Sequence, residues 1–196
     1  NYHGNPDVGT FLKEWQSLYK SKSGERGIFN SANAKKHVES LNININNPLN
    51  EDRRVARDDF GTNPCSEIIL RPREFCNLTE AVVRSDDTIS SLTKKVELAT
   101  ILGTWQSTLT NFRYLGSKWK TNCEEERLLG VSLTGIMDST LTNGLNDKNL
   151  PHLLTKLKEK AVKTNKEHAL ELGINPSASI TCVKPSGTVS QLVDSA

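Results

Sequence analysis

Four cysteines in 196 residues are too few for the disulfide framework of a small exported domain, and none of them stands in the Cys-x-x-Cys spacing of a zinc site. The four histidines, His3, His37, His152 and His168, share no metal-like spacing either, so no intrinsic metal is expected and the imidazoles read as surface or capping groups. Neither sign of charge dominates: 25 Lys and Arg stand against 23 Asp and Glu, a net charge of +2 with no basic stripe, which argues against nucleic acid as a ligand. No apolar run approaches the length that spans a bilayer, and residues 1–6 contain no apolar leader, so a cytoplasmic protein with no membrane partner is expected. Internal repeats and low-complexity tracts are missing too. In a reducing compartment, Cys65, Cys76, Cys123 and Cys182 are then either buried packing or chemistry.

What is present reads as alternating helices and short strands. Phe11, Leu12, Trp15, Leu18 and Tyr19 recur at helical spacing and the polar residues 21–27 end that helix. Residues 42–54, rich in Asn and holding Pro48, read as a loop whose charged run Glu51, Asp52, Arg53 and Arg54 forms a solvated face. Two extended segments, 66–70 and 75–84, flank a turn at 71–74. Leu92, Val96, Ala99, Leu102 and Leu109 predict a long helix over 88–112, with Asp86 and Asp87 at the positive end of its dipole. A strand-like run covers 128–133. A helix starts at Asn149-Leu150-Pro151 and runs through Leu153, Leu154, Leu157, Ala161, Val162 and Ala169 to a stop at Gly173. Residues 177–183 read as a strand entering Lys184-Pro185-Ser186-Gly187-Thr188. Trp15, Trp105, Trp119 and Met137 are assigned to core packing. The pattern implies an α/β fold with chemistry at strand ends. The modest apolar share of 35% and ends without capping signals suggest an internal fragment sharing its core with further sequence.

The densest chemistry is Asn63-Pro64-Cys65-Ser66-Glu67, which places an amide, a thiol and a carboxylate at alternate positions, with a second thiol at Cys76. In an extended segment, alternation puts Asn63, Cys65 and Glu67 on one face. Alone, the same pattern also describes an ordinary buried cysteine with an acid nearby. Pro185, Ser186, Gly187, Thr188, Val189 and Ser190 place small hydroxylated residues around a glycine after a strand. Such a loop can offer N–H groups and hydroxyls to phosphate, or be no more than a turn.

Residues 21–30, 61–68 and 75–80, with 98–104, 106–114 and 180–190, resemble in order the large chain of ribonucleotide reductase, and more narrowly its adenosylcobalamin-dependent ribonucleoside-triphosphate reductases. The resemblance implies that residues 1–196 are part of a single catalytic domain, a ten-stranded α/β barrel with the radical cysteine on an internal loop. Cys65 matches the cysteine whose thiyl radical takes hydrogen from the ribose 3′ carbon; sulfur suits this because S–H and ribose C–H bonds are close in strength. Glu67 matches the carboxylate that accepts the 3′-hydroxyl proton as the 2′-hydroxyl leaves. Asn63 matches the amide that holds the sugar. Cys76 matches one of two reducing thiols, its partner lying upstream of residue 1, and residues 185–190 match the phosphate loop. Cys123 and Cys182 read as inert. The implied partners are a ribonucleotide, a thioredoxin-like reductant and nucleotide effectors that act through sequence beyond this chain. The implied cofactor is adenosylcobalamin, with no binding residues identifiable here. Two alternatives remain at this point: a reductase using a metal-generated or glycyl radical, and a nucleotide-binding fragment that is inactive in isolation.

Overall fold

The computed structural model describes residues 6–23, 27–43, 54, 59–145 and 148–195. The chain divides into two compact units, Asn1–Asn30 and Ser31–Ala196. The described part of the first is helix α1 (Val8–Ser21). Asp7 caps it, accepting from the Thr10 backbone at 3.1 Å and the Thr10 hydroxyl at 2.6 Å, and these bonds hold the Asp7 carboxyl below its ordinary range. The expected helix is there, but Trp15 stacks on Phe11 with both rings exposed rather than in a core.

The second unit begins with α2 (Ser31–Ile43), which buries Ala34 and Val38, four residues apart. Residues 44–53, most of the expected loop, lie outside the described residues. Strands β1 (Gly61–Thr62) and β2 (Ile69–Leu70) form an antiparallel hairpin. Strand β3 (Asn77–Val82) leads to α3 (Ile89–Gln106), then α4 (Ser117–Glu126) and β4 (Leu129–Thr134), which pairs parallel to β3 with Leu78 opposite Gly130. A single 3-10 turn (Ile136–Asp138) precedes α5 (Leu150–Glu171), and α6 (Thr188–Leu192) ends the described chain. The fold is α/β. Among the described residues the strands form two two-stranded sheets and no closed barrel.

β4 is the middle of a wider sheet. Its Leu128 and Thr134 carbonyls accept from Asn77 and Val83 on the β3 side. Leu129 and Val131 donate to Ser179 and Ile180 on the other side, and Cys182 donates back to Val131. Those last bonds advance two residues on β4 for one on the incoming segment, as at a bulge. The expected strand over 177–183 is therefore reduced to one parallel bridge, Val131 with Thr181. One face of this sheet packs on α3 and α5 through Ala81, Val83, Leu92, Val96, Leu129, Val131, Leu157 and Ile180. Each buried leucine-sized side chain there contributes about 1.5–3 kcal/mol.

α3 starts one residue after Thr88, which forms a capping box with Ser91, and Asp87 accepts from the Ser91 hydroxyl at 2.6 Å. It stops at Gln106, short of the expected 112, because Ser107 and Thr108 turn the chain. Trp105 and Met137, expected in the core, are exposed, as are Leu102 and Leu109 of the helical pattern; the buried stripe of α3 runs through Leu92, Val96 and Ala99 to Gly103 and Thr104. Trp119 is half-buried and stacks on Phe75 at 4.7 Å. α5 begins and ends where the sequence predicts, with Pro151 in its first turn, although Leu154 and Val162 face outward.

Candidate active site

The hairpin carries the Asn63 to Glu67 stretch as a turn, not as an extended run. Asn63 organises it: its N–H donates to the Ile68 carbonyl at 3.3 Å, its carbonyl accepts from Ser66 at 3.0 Å, and its side-chain Oδ1 accepts from the Ile68 N–H at 3.1 Å. Ser66 takes a left-handed φ of 65°, which breaks the alternation between Cys65 and Glu67. Cys65 is consequently exposed at the hairpin tip, while both Glu67 carboxylate oxygens are buried with no hydrogen-bond partner among the described residues.

Glu67 points its charge at two thiols. Burial first, and Glu67 second, raise Cys76 above the ordinary thiol range; the same two causes, followed by Cys76 itself, push Cys182 up to about 11. Both sulfurs are thus held as neutral thiols at physiological pH. Cys182 was expected to be a buried, inert residue. It is half-buried beside this group instead, because the bulge aims it over Gly130. A Cβ on Gly130 would stand 2.4 Å from Leu78 Cδ2, 3.0 Å from Cys182 Sγ and 3.1 Å from Ile68 Cδ1, so only glycine lets hairpin, β3 and Cys182 meet there. Cys123, by contrast, is buried and accepts from the Phe75 N–H at 3.3 Å, as an inert thiol would.

The loop over 185–190 lies against the same sheet face. Ser186 donates to Glu80 Oε2 at 2.8 Å, the Lys184 N–H donates to the Ser132 hydroxyl at 3.0 Å, and Gly187 adopts a φ of 54° that favours glycine. The far end of α6 is tied down by Arg84, whose guanidinium donates to the Asp194 carbonyl at 2.7 Å and to that of Val193. Glu80 and Arg84 were not singled out from sequence. Glu80 is within reach of the period-two rule: Leu78 and Glu80 alternate along β3 just after Cys76, and the neighbouring Ala81 and Val83 belong to the helix-covered core.

Beneath the hairpin is a buried charge cluster. Arg54, expected in a solvated run, is almost fully buried; its Nε lies 2.7 Å from Glu126 Oε2 and its guanidinium also donates to the Ile69 carbonyl. Glu51, Asp52 and Arg53 lie outside the described residues. Arg71 reaches Glu126 at 2.7 Å, Glu125 at 3.0 Å and Glu74 at 3.7 Å. Burial and the neighbouring Glu126 charge push Glu74 up to about 8, against the pull of Arg71 and Arg54. A carboxyl whose folded pKa is raised keeps its proton better folded than unfolded, so its contribution to stability declines as pH rises between about 4.5 and about 8 and is flat beyond. Urea midpoints measured across that range should fall more steeply for the unmodified chain than for Glu74→Gln; parallel slopes would disprove the assignment.

The chain is similar to curated proteins of one description. It is 32% identical over 161 residues to the adenosylcobalamin-dependent ribonucleoside-triphosphate reductase of Lactobacillus acidophilus, matching 70% of this chain and 21% of that one. The enzyme of the same description from Lacticaseibacillus paracasei is 27% identical over 202 aligned positions, 90% of this chain and 25% of its own. A crystal structure of a B12-dependent (class II) ribonucleotide reductase superimposes with a TM-score of 0.55 at 26% identity, over 69% of this chain and 22% of that chain. The chain is related to class II ribonucleotide reductases. It spans about a fifth to a quarter of the length of these curated relatives. No family model matches it. No helix among the described residues is long and apolar enough to cross a membrane.

Proposed function

We propose that this chain is the part of an adenosylcobalamin-dependent ribonucleotide reductase that holds the radical cysteine, acting on ribonucleoside triphosphates. The observation that carries the reading is convergence: the hairpin that carries Cys65 at its tip brings Glu67 beside Cys76 and Cys182, and the loop over 185–190 is held on Glu80 of the next strand, residues up to 123 positions apart in sequence. The sheet centred on β4 is then an arc of a ten-stranded α/β barrel, and residues 1–196 belong to its single catalytic domain.

The chemistry follows from the residues. A thiyl radical on Cys65 takes the hydrogen atom of the ribose 3′ carbon, forming S–H and leaving a carbon radical. Glu67 accepts the 3′-hydroxyl proton as the 2′-hydroxyl, protonated by a reducing thiol, departs as water; its buried carboxylate, free of other hydrogen bonds among the described residues, is available for the 3′ proton. Asn63 spends an acceptor on the turn and presents its amide beside the sugar. Cys76 supplies one of two thiols whose oxidation to a disulfide delivers the two reducing electrons, and a thioredoxin-like partner reduces that disulfide. Cys76 is kept protonated by burial and by Glu67, so it can supply hydrogen together with its electron. Adenosylcobalamin, when bound, brings radical generation; an exposed thiol at a hairpin tip fits oxidation from outside this chain. Nucleotide effectors act through sequence beyond it, and the enzyme works in the cytoplasm.

The relatives are described as adenosylcobalamin-dependent, which favours that radical source over a metal-generated or glycyl one. The test is a chimera in which this chain replaces the matching segment of the Lactobacillus acidophilus enzyme. Deoxynucleotide formation that requires added adenosylcobalamin is expected; a folded chimera that forms none would refute the proposal.

A further inference from the structure

Glu80 is an unusual neighbour for a loop that binds phosphate. Its side chain is 7% exposed, its Oε2 accepts a hydrogen bond from the Ser186 hydroxyl at 2.8 Å, and Lys184 Nζ stands 3.8 Å from its Oε1. That second oxygen is buried with no hydrogen-bond partner among the described residues, and Lys184 Nζ donates to the Pro185 carbonyl at 3.1 Å instead. A buried carboxylate normally gathers several donors, and this one has a single hydrogen bond and one distant cation. The donors it does engage, a serine hydroxyl and a lysine ammonium at the entrance of the loop, are the kinds a phosphate oxygen would recruit. A carboxylate and a phosphate cannot both sit on them: each is an acceptor, and their charges repel at short range. Glu67, whose charge also reaches Cys182, makes the patch more negative and Lys184 the cation that offsets it.

We infer that Glu80 is a resident stand-in for the substrate phosphate, keeping Ser186 and Lys184 arranged in the empty site and giving them up when a nucleotide's phosphate chain arrives. The inference rests on the phosphate-loop reading of residues 185–190. Arg84 holds the other end of α6, so the exchange is confined to the Lys184 to Ser186 side. Loop order before binding is thereby obtained at a cost in affinity, because the incoming anion must displace a built-in one. Glu80→Gln keeps an acceptor for Ser186 but removes the competing charge, and so separates this role from a merely structural one.

The experiment is calorimetric titration of the 196-residue chain with inorganic tripolyphosphate at low ionic strength, where charge effects are least screened. Glu80→Gln is expected to bind about fivefold more tightly or better. Equal or weaker binding, with wild-type binding present, would overturn the stand-in role alone. Absence of binding by both proteins would overturn the phosphate-loop reading and this inference with it. Should the variant not fold, the unmodified chain still decides: saturation with tripolyphosphate should move the side-chain carboxyl 13C resonance of Glu80, and a static resonance contradicts displacement.

Discussion

Replacing Cys65 by serine in the chimera is expected to lower deoxynucleotide formation by about a thousandfold or more, with folding untouched. Oxygen for sulfur is a small steric change, and the position sits exposed at the hairpin tip, where substitutions usually shift stability by only about 0.5 kcal/mol. Nothing about packing can therefore account for a large loss. The chemistry can: an O–H bond is much stronger than a ribose C–H bond, so a serine side chain could not be oxidised and regenerated in a reversible hydrogen transfer. Asn63 and Ser66 would still close the turn through backbone bonds that do not involve the thiol. The decisive pair of measurements is deoxynucleotide formed per chain and the urea midpoint. Activity retained within tenfold would remove Cys65 from the radical role, whatever else the chain does.

The largest stability effect should come from Arg71→Met. Arg71 joins the turn after β2 to α4, with its guanidinium on Glu126 and Glu125 and on the Asn122 carbonyl at 3.1 Å, and its side chain is 10% exposed. Methionine roughly fills the volume and strips the charge, which leaves Glu126, wholly buried, with Arg54 as its remaining cation and with Glu74 close by. Breaking one side of a buried ion cluster costs about 3–5 kcal/mol, a large share of a domain's total stability of about 5–15 kcal/mol. The urea midpoint reads this directly. A single variant losing less than about 1 kcal/mol would show that the cluster contributes little. Since Arg71, Arg54 and Glu126 hold the base of the hairpin, the same variant should also impair the chimera.

Local signals were legible where local physics decides. The spacing of Phe11, Leu12 and Trp15, and Pro151 at a helix start, gave α1 and α5 because helical periodicity and capping act within a few residues. The thiols and carboxylate of the candidate site stand in a recognisable order in the sequence itself. What sequence hid depends on distant partners. Arg54 looks solvated until Glu126, 72 residues later, is placed on it. Glu80 looks like a strand acid until Ser186, 106 residues away, arrives. The alternation of Asn63, Cys65 and Glu67 assumed an extended backbone, and Ser66 in a left-handed conformation replaces it with a turn that exposes one residue and buries the next acid. The apolar residues of α3 that face outward carry the same period as those that face in; only the partner surface distinguishes them.

The central position of β4 also decides which sulfurs can be cross-linked. Cys76 precedes the strand on one side of β4 and Cys182 belongs to the segment on the other. Two strand spacings put their backbones about 10 Å apart. A disulfide spans at most about 7 Å between Cα atoms. Both thiols lie near Glu67, yet β4 runs between them. Oxidants can take electrons from Cys76 without trapping it against Cys182, and its sulfur stays open to a thiol that approaches from outside the sheet.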